Sequence, residues 1–423
     1  MAMILPGVSH NETLLTQASN DDPVTMPLFI GYALPDEAVA APVAALQPIS
    51  VGSLTQARSH FGQRGTLAYS LRHFFENGGQ HCYVLSLGPW EGESTDRLKS
   101  LINELQSTRM MEILLADNQS GLLLVPEMSE LNDMSSSSLK QRSGEDEAEF
   151  DAALLWYQGW EALLTLCRQS QQRFALLELP EASEDAIALT QQSFSTDLCQ
   201  HGAAWWPRLQ TSYVDEEQTT AAYRLLSPLP AVAAAIQCNA NEKGVWKAPA
   251  NIPLAKTVRP TQNILTSKAL LNEKGVYCNL IRSFVGKGVR LWGCRTLLND
   301  EASPWRYIQT RLLVNSVEHY LSKLARSYLF EPNNAQTWMK LKGQVWTWLR
   351  QQWLAGAFLG TVEEEAFALS IGLNETMSED DIRSGKIILR VQLALLAPAE
   401  FIDINLMLNL RDGSATVQPG GQR

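Results

Sequence analysis

Short apolar segments alternate with helical segments through the first half of the chain, and this alternation constrains the fold more than any other feature. The strand-like segments are residues 27–33, 81–87, 122–126 and 174–180. The helical segments that lie among them are residues 53–61, 66–77, 94–105, 151–169 and 184–199. Strands that alternate with helices pack as a mainly parallel sheet covered by helices. The sequence therefore predicts an α/β fold of mixed α+β character, built from layered sheet-and-helix domains.

The pattern changes near residue 262, where long helices replace the short alternating elements. Residues 305–329 and 335–358 have helical periodicity, and residues 386–393 are strand-like. After Pro398, an apolar residue occupies every second position of a strand: Ile402, Ile404, Leu406 and Leu408. Such alternation is typical of a strand with one apolar face. These changes predict two domains, residues 26–261 and 262–397, with extended arms at residues 1–25 and 398–423.

The overall charge argues against a nucleic-acid binder. The chain has 423 residues, of which 45% are hydrophobic, and its 34 basic and 45 acidic side chains give a net charge of −11. A net negative charge favours solubility and disfavours binding through phosphate contacts. The first residues lack the basic and apolar regions of a signal peptide, and the most apolar stretch, residues 229–236, is too short to span a bilayer. We therefore expect assembly in the cytoplasm, with no membrane insertion.

Motifs for catalysis, metal binding or cofactor binding are not found in the sequence. The six cysteines form no CxxC pair, and the six histidines form no HxxxH pair. Gly286-Lys287-Gly288 precedes Val289 instead of the Ser or Thr of a phosphate-binding loop. Glu363, Glu364 and Glu365 are consecutive, so on a helix they point in different directions and predict a solvated helix start. We expect no catalytic residue, no cofactor and no metal site.

Basic residues are concentrated in one part of the chain. Between Lys268 and Arg350 there are thirteen basic and five acidic residues, a local net charge of +8 in a chain of net charge −11. One interpretation is an ordinary mixed surface. The other is a basic inner surface that meets an acidic partner, with an acidic outer domain facing water.

Several segments occur in an order that resembles a known family, the tail sheath proteins. The longest is the run from Asn279 to Leu297, which reads NLIRSFVGKGVRLWGCRTL. The others are Pro6-Gly7-Val8, Phe74-Phe75-Glu76-Asn77-Gly78-Gly79, residues 244–251 (GVWKAPAN), Trp305-Arg306-Tyr307-Ile308, Phe330-Glu331-Pro332-Asn333, residues 353–360 (WLAGAFLG) and Ala397-Pro398-Ala399-Glu400-Phe401. The family includes the sheaths of contractile phage tails, R-type bacteriocins and extracellular contractile injection systems, and the chain length and short outer domain look most like the last group.

The resemblance implies a structural subunit instead of an enzyme. Such subunits polymerise as a helical sleeve round an inner tube, and the metastable sleeve contracts to drive the tube through a target envelope. The implied partners are other sheath subunits, the inner tube protein, and the baseplate and terminal cap proteins, in a particle that is released from the cell. Residues 26–261 would then be the outer domain and residues 262–397 the inner, tube-facing domain.

The resemblance also assigns roles to particular residues. The arms, with Pro6, Gly7 and Val8 at one end and Ile402, Ile404, Leu406 and Leu408 at the other, cannot bury their apolar faces alone, so we expect them to add to a neighbour's sheet. The first candidates for the tube contact are Arg383 and Lys386, beside a predicted short helix at residues 378–385. The second are Arg311, Lys323 and Arg326, on the predicted polar side of the long helix.

Two alternatives remain open at this point. All five basic residues could be ordinary surface charges. The chain could also be a soluble α/β enzyme or a carbohydrate-binding module, a class that would need the catalytic constellation that the sequence lacks.

Overall fold

The computed structural model describes residues 23–34, 45–90, 92–133, 151–192, 194–214, 223–262, 275–395, 401–409 and 414–419. The strands are β1 Pro27–Gly31, β2 Pro48–Val51, β3 Cys82–Ser86, β4 Leu122–Leu124, β5 Phe174–Glu178, β6 Gly202–Trp206, β7 Leu209–Val214, β8 Tyr223–Leu226, β9 Ile252–Pro253, β10 Thr257–Pro260, β11 Cys278–Phe284, β12 Gly288–Trp292, β13 Phe367–Ser370, β14 Lys386–Ala394, β15 Phe401–Asn409 and β16 Ser414–Pro419. The helices are α1 Leu54–Phe61, α2 Gly65–Glu76, α3 Ser94–Leu105, α4 Thr108–Ala116, α5 Ala152–Ser170, α6 Ser183–Thr190, α7 Thr196–Cys199, α8 Leu229–Lys243, α9 Ile308–Arg326, α10 Ala335–Leu354, α11 Glu363–Ala366 and α12 Glu379–Arg383.

A large sheet organises most of the chain, with the strand order β2-β3-β1-β4-β5-β6-β11-β12-β9. Strands β3, β1, β4, β5, β6 and β11 are parallel to one another, whereas β2, β12 and β9 pair antiparallel at the two ends. Every residue of β1 and β5 is buried, as expected for parallel strands with helices on both faces. This architecture confirms the predicted mixed α/β fold.

The two faces of the large sheet contact different hydrophobic clusters. In β1, Leu28 and Ile30 join a cluster with helices α3 and α5, whereas Phe29 points the other way into a cluster with α2 and α8. Successive strand residues point to opposite faces, so one short apolar strand supplies both cores. Helix α5 begins where its sequence provides a cap, since the Asp151 side chain accepts hydrogen bonds from the backbone N–H groups of Ala153 and Leu154.

The large sheet continues across the domain boundary that the sequence predicts at residue 262. Strand β11 pairs with β6 in parallel, with Cys278 opposite Ala204, and the Asn279 side chain donates to the backbone carbonyls of Ala204 and Arg295. Strands β11 and β12 are therefore part of the same sheet as β1 to β6. The predicted division of residues 26–261 from 262–397 is wrong at this point, because the sheet is completed by strands from beyond the boundary.

A second sheet, with the order β13-β14-β15-β16, is antiparallel and packs against helix α9. Val391 of β14 lies opposite Ile404 of β15, and Leu389 lies opposite Leu406. Ile404, Leu406 and Leu408 are completely buried in the chain's own core. The expectation that these residues wait for a neighbour's sheet is therefore wrong for this conformation, because the matching apolar face of β14 and helix α9 cover them within one chain.

The remaining elements qualify the prediction of an N-terminal arm. Residues 23–25 form a short 3-10 turn in which Val24 and Thr25 are buried against the large sheet's core, so the predicted arm of residues 1–25 cannot include them. Pro6, Gly7 and Val8 lie outside the described residues.

A third, three-stranded sheet, β10-β7-β8, packs beside helix α2 through the hydrogen bond from the Tyr213 hydroxyl to the Glu76 carboxylate at 3.0 Å.

Candidate assembly surfaces

The crevice where a sheet of this type most often binds a ligand is filled by the chain itself. The strand order reverses between β1 and β4, and open α/β sheets bind ligands beyond the carboxyl ends of the strands at such a point. Here the Glu127 carboxylate accepts a hydrogen bond from the backbone N–H of Tyr32 at 2.6 Å. Its Oε1 lies only 2.7 Å from where a Cβ on Gly31 would be. The Glu127 side chain therefore packs directly against β1 at this edge of the sheet.

Burial raises the pKa of two carboxyl groups near this edge. Burial and the nearby charge of Glu130 together raise the pKa of Glu127 to about 8. Burial also raises the pKa of Glu178, at the end of β5, to about 7. Within the ranges that the structure covers, no three His, Cys, Asp or Glu side chains are grouped so that they could hold a metal ion.

The cysteines have the environment of structural thiols. Cys82, Cys167 and Cys278 are buried, and burial raises the pKa of each thiol far above its usual range. Burial likewise raises the pKa of Cys199 to about 11. Because the thiolate is the nucleophile, these four cysteines are poorly suited to covalent chemistry.

Arg383 is exposed and Lys386 is half-buried, and both have acidic partners in their own chain. Helix α12 begins with a capping box between Ser378 and Asp381. The Arg383 guanidinium lies 2.7 Å from Glu379 Oε2, and Lys386 Nζ lies 3.8 Å from Asp381 Oδ1. Exposed pairs of this kind contribute only ~0–1 kcal/mol each. This surface therefore presents both signs of charge, and its contact with a tube stays a prediction.

Arg311 does not lie on a polar outer face of the long helix. Its side chain is 3% exposed, its Nε donates to Asn315 Oδ1 at 2.8 Å, and its Nη2 lies 3.5 Å from Glu318 Oε2. Its guanidinium also stacks on Trp305, with 4.7 Å to the ring centroid. The first half of α9 is buried on all sides, so Arg311 is an internal residue and its selection as a tube-facing candidate is wrong.

Lys323 and Arg326 lie near the other end of α9 and are exposed. Arg326 Nη2 donates to Asn118 Oδ1 at 3.1 Å, so it contacts the turn between α4 and β4. The structure thus separates the five basic candidates into three environments: Arg383 and Lys386 on α12 and at the start of β14, Lys323 and Arg326 near the end of α9, and Arg311 in the interior.

The hairpin of β11 and β12 carries a surface cluster that sequence reasoning used only as a family signature. The Arg282 guanidinium lies 5.1 Å from the Phe284 ring centroid and 5.6 Å from that of Trp292, and the two rings are 4.9 Å apart. Val285, at the tip of the hairpin, is fully exposed. The spacing of Arg282 and Phe284, two residues apart on one strand, was a signal that both share a face.

The edges of the second sheet are also available for pairing. Strands β13 and β16 are the outermost strands, and each pairs with a single neighbour in the part of the chain that the structure describes. Outermost strands present unpaired backbone groups that another chain can bind.

No helix among the described residues has the length and apolar character needed to cross a bilayer.

Comparison with solved structures gives extensive similarity. The chain is 72% identical to a chain of the contracted baseplate of the anti-feeding prophage, with a TM-score of 0.80 over 95% of this chain and 97% of that chain. It is 25% identical to a chain of the contracted helical sheath of the same particle, with a TM-score of 0.62 over 95% of this chain and 98% of that one. A sheath tail protein from Listeria innocua, 8% identical, shares the fold with a TM-score of 0.60 over 91% of this chain and 95% of that chain.

No protein-family model and no curated protein sequence matches the chain. The solved structures are nevertheless decisive, because an identity of 72% over nearly the whole of both chains shows common family membership. The other two structures share the same layered fold and are sheath proteins. The chain therefore belongs to the family of sheath and baseplate proteins of contractile injection systems and phage tails, and its role in such a system is structural.

Proposed function

We propose that this chain is a sheath subunit located at the baseplate end of a contractile injection particle, where it encircles the inner tube. The observation that carries this proposal is the high identity to one chain of a baseplate. The chain is 72% identical to that chain of the anti-feeding prophage baseplate, whereas a second baseplate chain is 24% identical and a chain of the helical sheath is 25% identical. A subunit in this position would join the baseplate to the rest of the sleeve and contract with it.

The proposed link between subunits is strand addition at the edges of the second sheet. Strands β13 and β16 offer unpaired backbone groups, and the segment containing Pro6, Gly7 and Val8 is the proposed incoming arm. Head-to-tail contacts of this kind generate rings or open helices instead of closed pairs. Because backbone hydrogen bonds tolerate rotation of the bodies that they connect, neighbouring subunits could stay joined as the sleeve shortens.

The proposed grip on the tube consists of weak charge pairs. Lys323 and Arg383 are exposed and Lys386 is half-buried. A charge pair that each of these basic residues forms at the surface contributes only ~0–1 kcal/mol. Repeated in every subunit, weak pairs would hold the extended state and still break during contraction. The tube protein and a terminal cap protein complete the proposed set of partners, and the assembly is proposed to form in the cytoplasm before release.

The enzyme and carbohydrate-binding alternatives have no comparable support. At the edge where an α/β enzyme would bind its ligand, the Glu127 side chain is bonded to the backbone of Tyr32 and packs against Gly31. The neighbours in fold are a chain of a contractile baseplate and a sheath tail protein, which are parts of structural assemblies. We therefore propose that the chain is not an enzyme.

Localisation in the intact particle tests the proposed position. A His tag at the end of the chain, decorated with nickel-gold, should label one end of the particle, next to the baseplate, in electron micrographs. A matched tag on the main sheath protein of the same particle should label the whole sleeve. Label along the whole sleeve from this chain would contradict the baseplate position, and particles without any label would contradict its presence in the assembly.

A further inference from the structure

A polar cavity of about 470 Å³ lies between helix α9 and the amino ends of β1, β4 and β5. Helix α9 contributes His319, Ser322 and Arg326 to its wall. The turn before β4 contributes Asn118 and Ser120, and the turn before β5 contributes residues 170–173. None of the described residues that line it is acidic. The cavity therefore combines basic and hydroxyl-bearing side chains with the apolar Val24, Leu115 and Leu329 at the junction of the long helix and the large sheet.

Two guanidinium groups reach this cavity from opposite walls. Arg326 is exposed at the mouth, and its Nη2 contacts Asn118 Oδ1 at 3.1 Å. Arg173 is 4% exposed, its Nη2 lies 3.3 Å from Asp117 Oδ2, and its Nε has no hydrogen-bond partner in the described structure. The Asp117 carboxylate is already bonded to Ser120 Oγ and to the backbone N–H of Gln119. A buried donor without a partner is unfavourable, and an oxygen-bearing ligand would supply that partner.

The wall beside Arg173 has a strained backbone. Gln171 has φ 52° and ψ 157°, and Gln172 has φ 57°, so two consecutive residues other than glycine have left-handed φ angles. The Gln172 side chain donates to Ser322 Oγ at 2.9 Å, which ties this turn to α9. Backbone strain of this kind persists only where the surrounding structure enforces it, and it is found most often at ligand sites.

We propose that this cavity binds an oxyanion, either a carboxylate or a phosphate group, between Arg173 and Arg326. Arg326 has a planar fork of N–H donors that matches the oxygens of both anions. Arg173 would add its Nε–H, because its two Nη groups already donate to Ser170 and Asp117. The Ser322 hydroxyl accepts from Gln172 and keeps its own hydrogen to donate from the α9 wall, whereas the Ser120 hydroxyl already donates to Asp117. The ligand would connect the long helix to the large sheet, which is a role that the proposed position at the baseplate does not require.

Titration of the full-length chain tests this proposal in two arms. One arm adds inorganic phosphate against chloride at constant ionic strength, and the other adds a tetraglutamate peptide, which stands in for a carboxylate from another protein. Binding is followed by calorimetry and by the rise of the melting temperature. Saturation in at least one arm is expected: phosphate binding would indicate a free anion, and binding of the peptide alone would indicate a partner's carboxylate.

Matched variants show whether binding occurs in this cavity. Arg326→Gln should weaken binding about tenfold or more, because a charge-assisted hydrogen bond is lost. Lys323→Gln, an exposed cation on the same helix that does not line the cavity, should leave the affinity unchanged. Arg326→Lys keeps the charge but loses the fork of donors, so its affinity should fall between the two, and circular dichroism checks that each variant is folded. The absence of saturation in both arms, or an equal loss in Arg326→Gln and Lys323→Gln, would overturn the proposal.

Discussion

Leu406 distinguishes a strand that belongs to its own subunit from a strand that waits for a neighbour. In this structure Leu406 is completely buried, lies opposite Leu389 of β14 and belongs to the core that includes helix α9. Leu406→Ala removes buried methyl groups and leaves a cavity, which costs about 3 kcal/mol for a fully buried leucine. We expect a loss of that size in the free energy of unfolding.

The adjacent residue supplies a matched control. Met407 is on the opposite face of β15 and is 38% exposed, so Met407→Ala should cost about 1 kcal/mol or less. Urea unfolding of the full-length chain, kept below the concentration at which it assembles, measures both values. If Leu406→Ala unfolds like the wild type but no longer assembles, β15 completes a neighbour's sheet and the single-chain pairing described above is refuted.

Three further predictions concern other parts of the molecule. The pKa of Glu127 is about 8 in the folded chain, whereas its ordinary value, which applies to the unfolded chain, is 4.5. The contribution of Glu127 to the free energy of unfolding should therefore be largest below pH 4.5. It should fall by on the order of 4 kcal/mol as the pH rises towards 8. Urea unfolding across this pH range should show a smaller fall in the free energy of unfolding for Glu127→Gln than for the wild type. Gln171→Gly should stabilise the chain by about 1 kcal/mol because it relieves a left-handed φ of 52°, whereas Gln169→Gly, inside helix α5, should destabilise it by about the same amount in thermal unfolding. Reversing Arg383 and Lys386 to Glu should leave particles contracted at a salt concentration where wild-type particles stay extended. Particles with the control reversal of Arg58 and Lys99 should stay extended at that salt concentration. If electron micrographs show all three kinds of particle extended, the tube contact lies elsewhere.

The local features of the fold could be predicted from the sequence, because each was encoded within a short segment. The apolar strands β1, β3, β4 and β5 and the helices around them are recognisable from composition and periodicity. The capped helix α12 was recognisable from Ser378 and the acidic residues that follow it.

The errors arise where distant segments meet. The pairing of β11 with β6 joins residues more than seventy positions apart. The local sequence of a strand does not indicate which distant strand pairs with it. The predicted boundary at residue 262 therefore falls in the middle of a sheet. The period-2 pattern of β15 shows an apolar face but does not show whose chain covers it. Arg311 was misplaced for a similar reason, since helical periodicity does not reveal that a second layer buries the polar side of a helix.

Negative-stain microscopy of the purified chain, alone and mixed with its inner tube protein, tests the central claim most directly. A structural sheath subunit should form rings or sleeves that surround the tube, because its head-to-tail contacts repeat without closing into a pair. Deletion of residues 1–20, which removes Pro6, Gly7 and Val8, should abolish these assemblies and leave a folded monomer. Discrete monomers of the wild-type chain under both conditions would contradict the assignment of a sheath role.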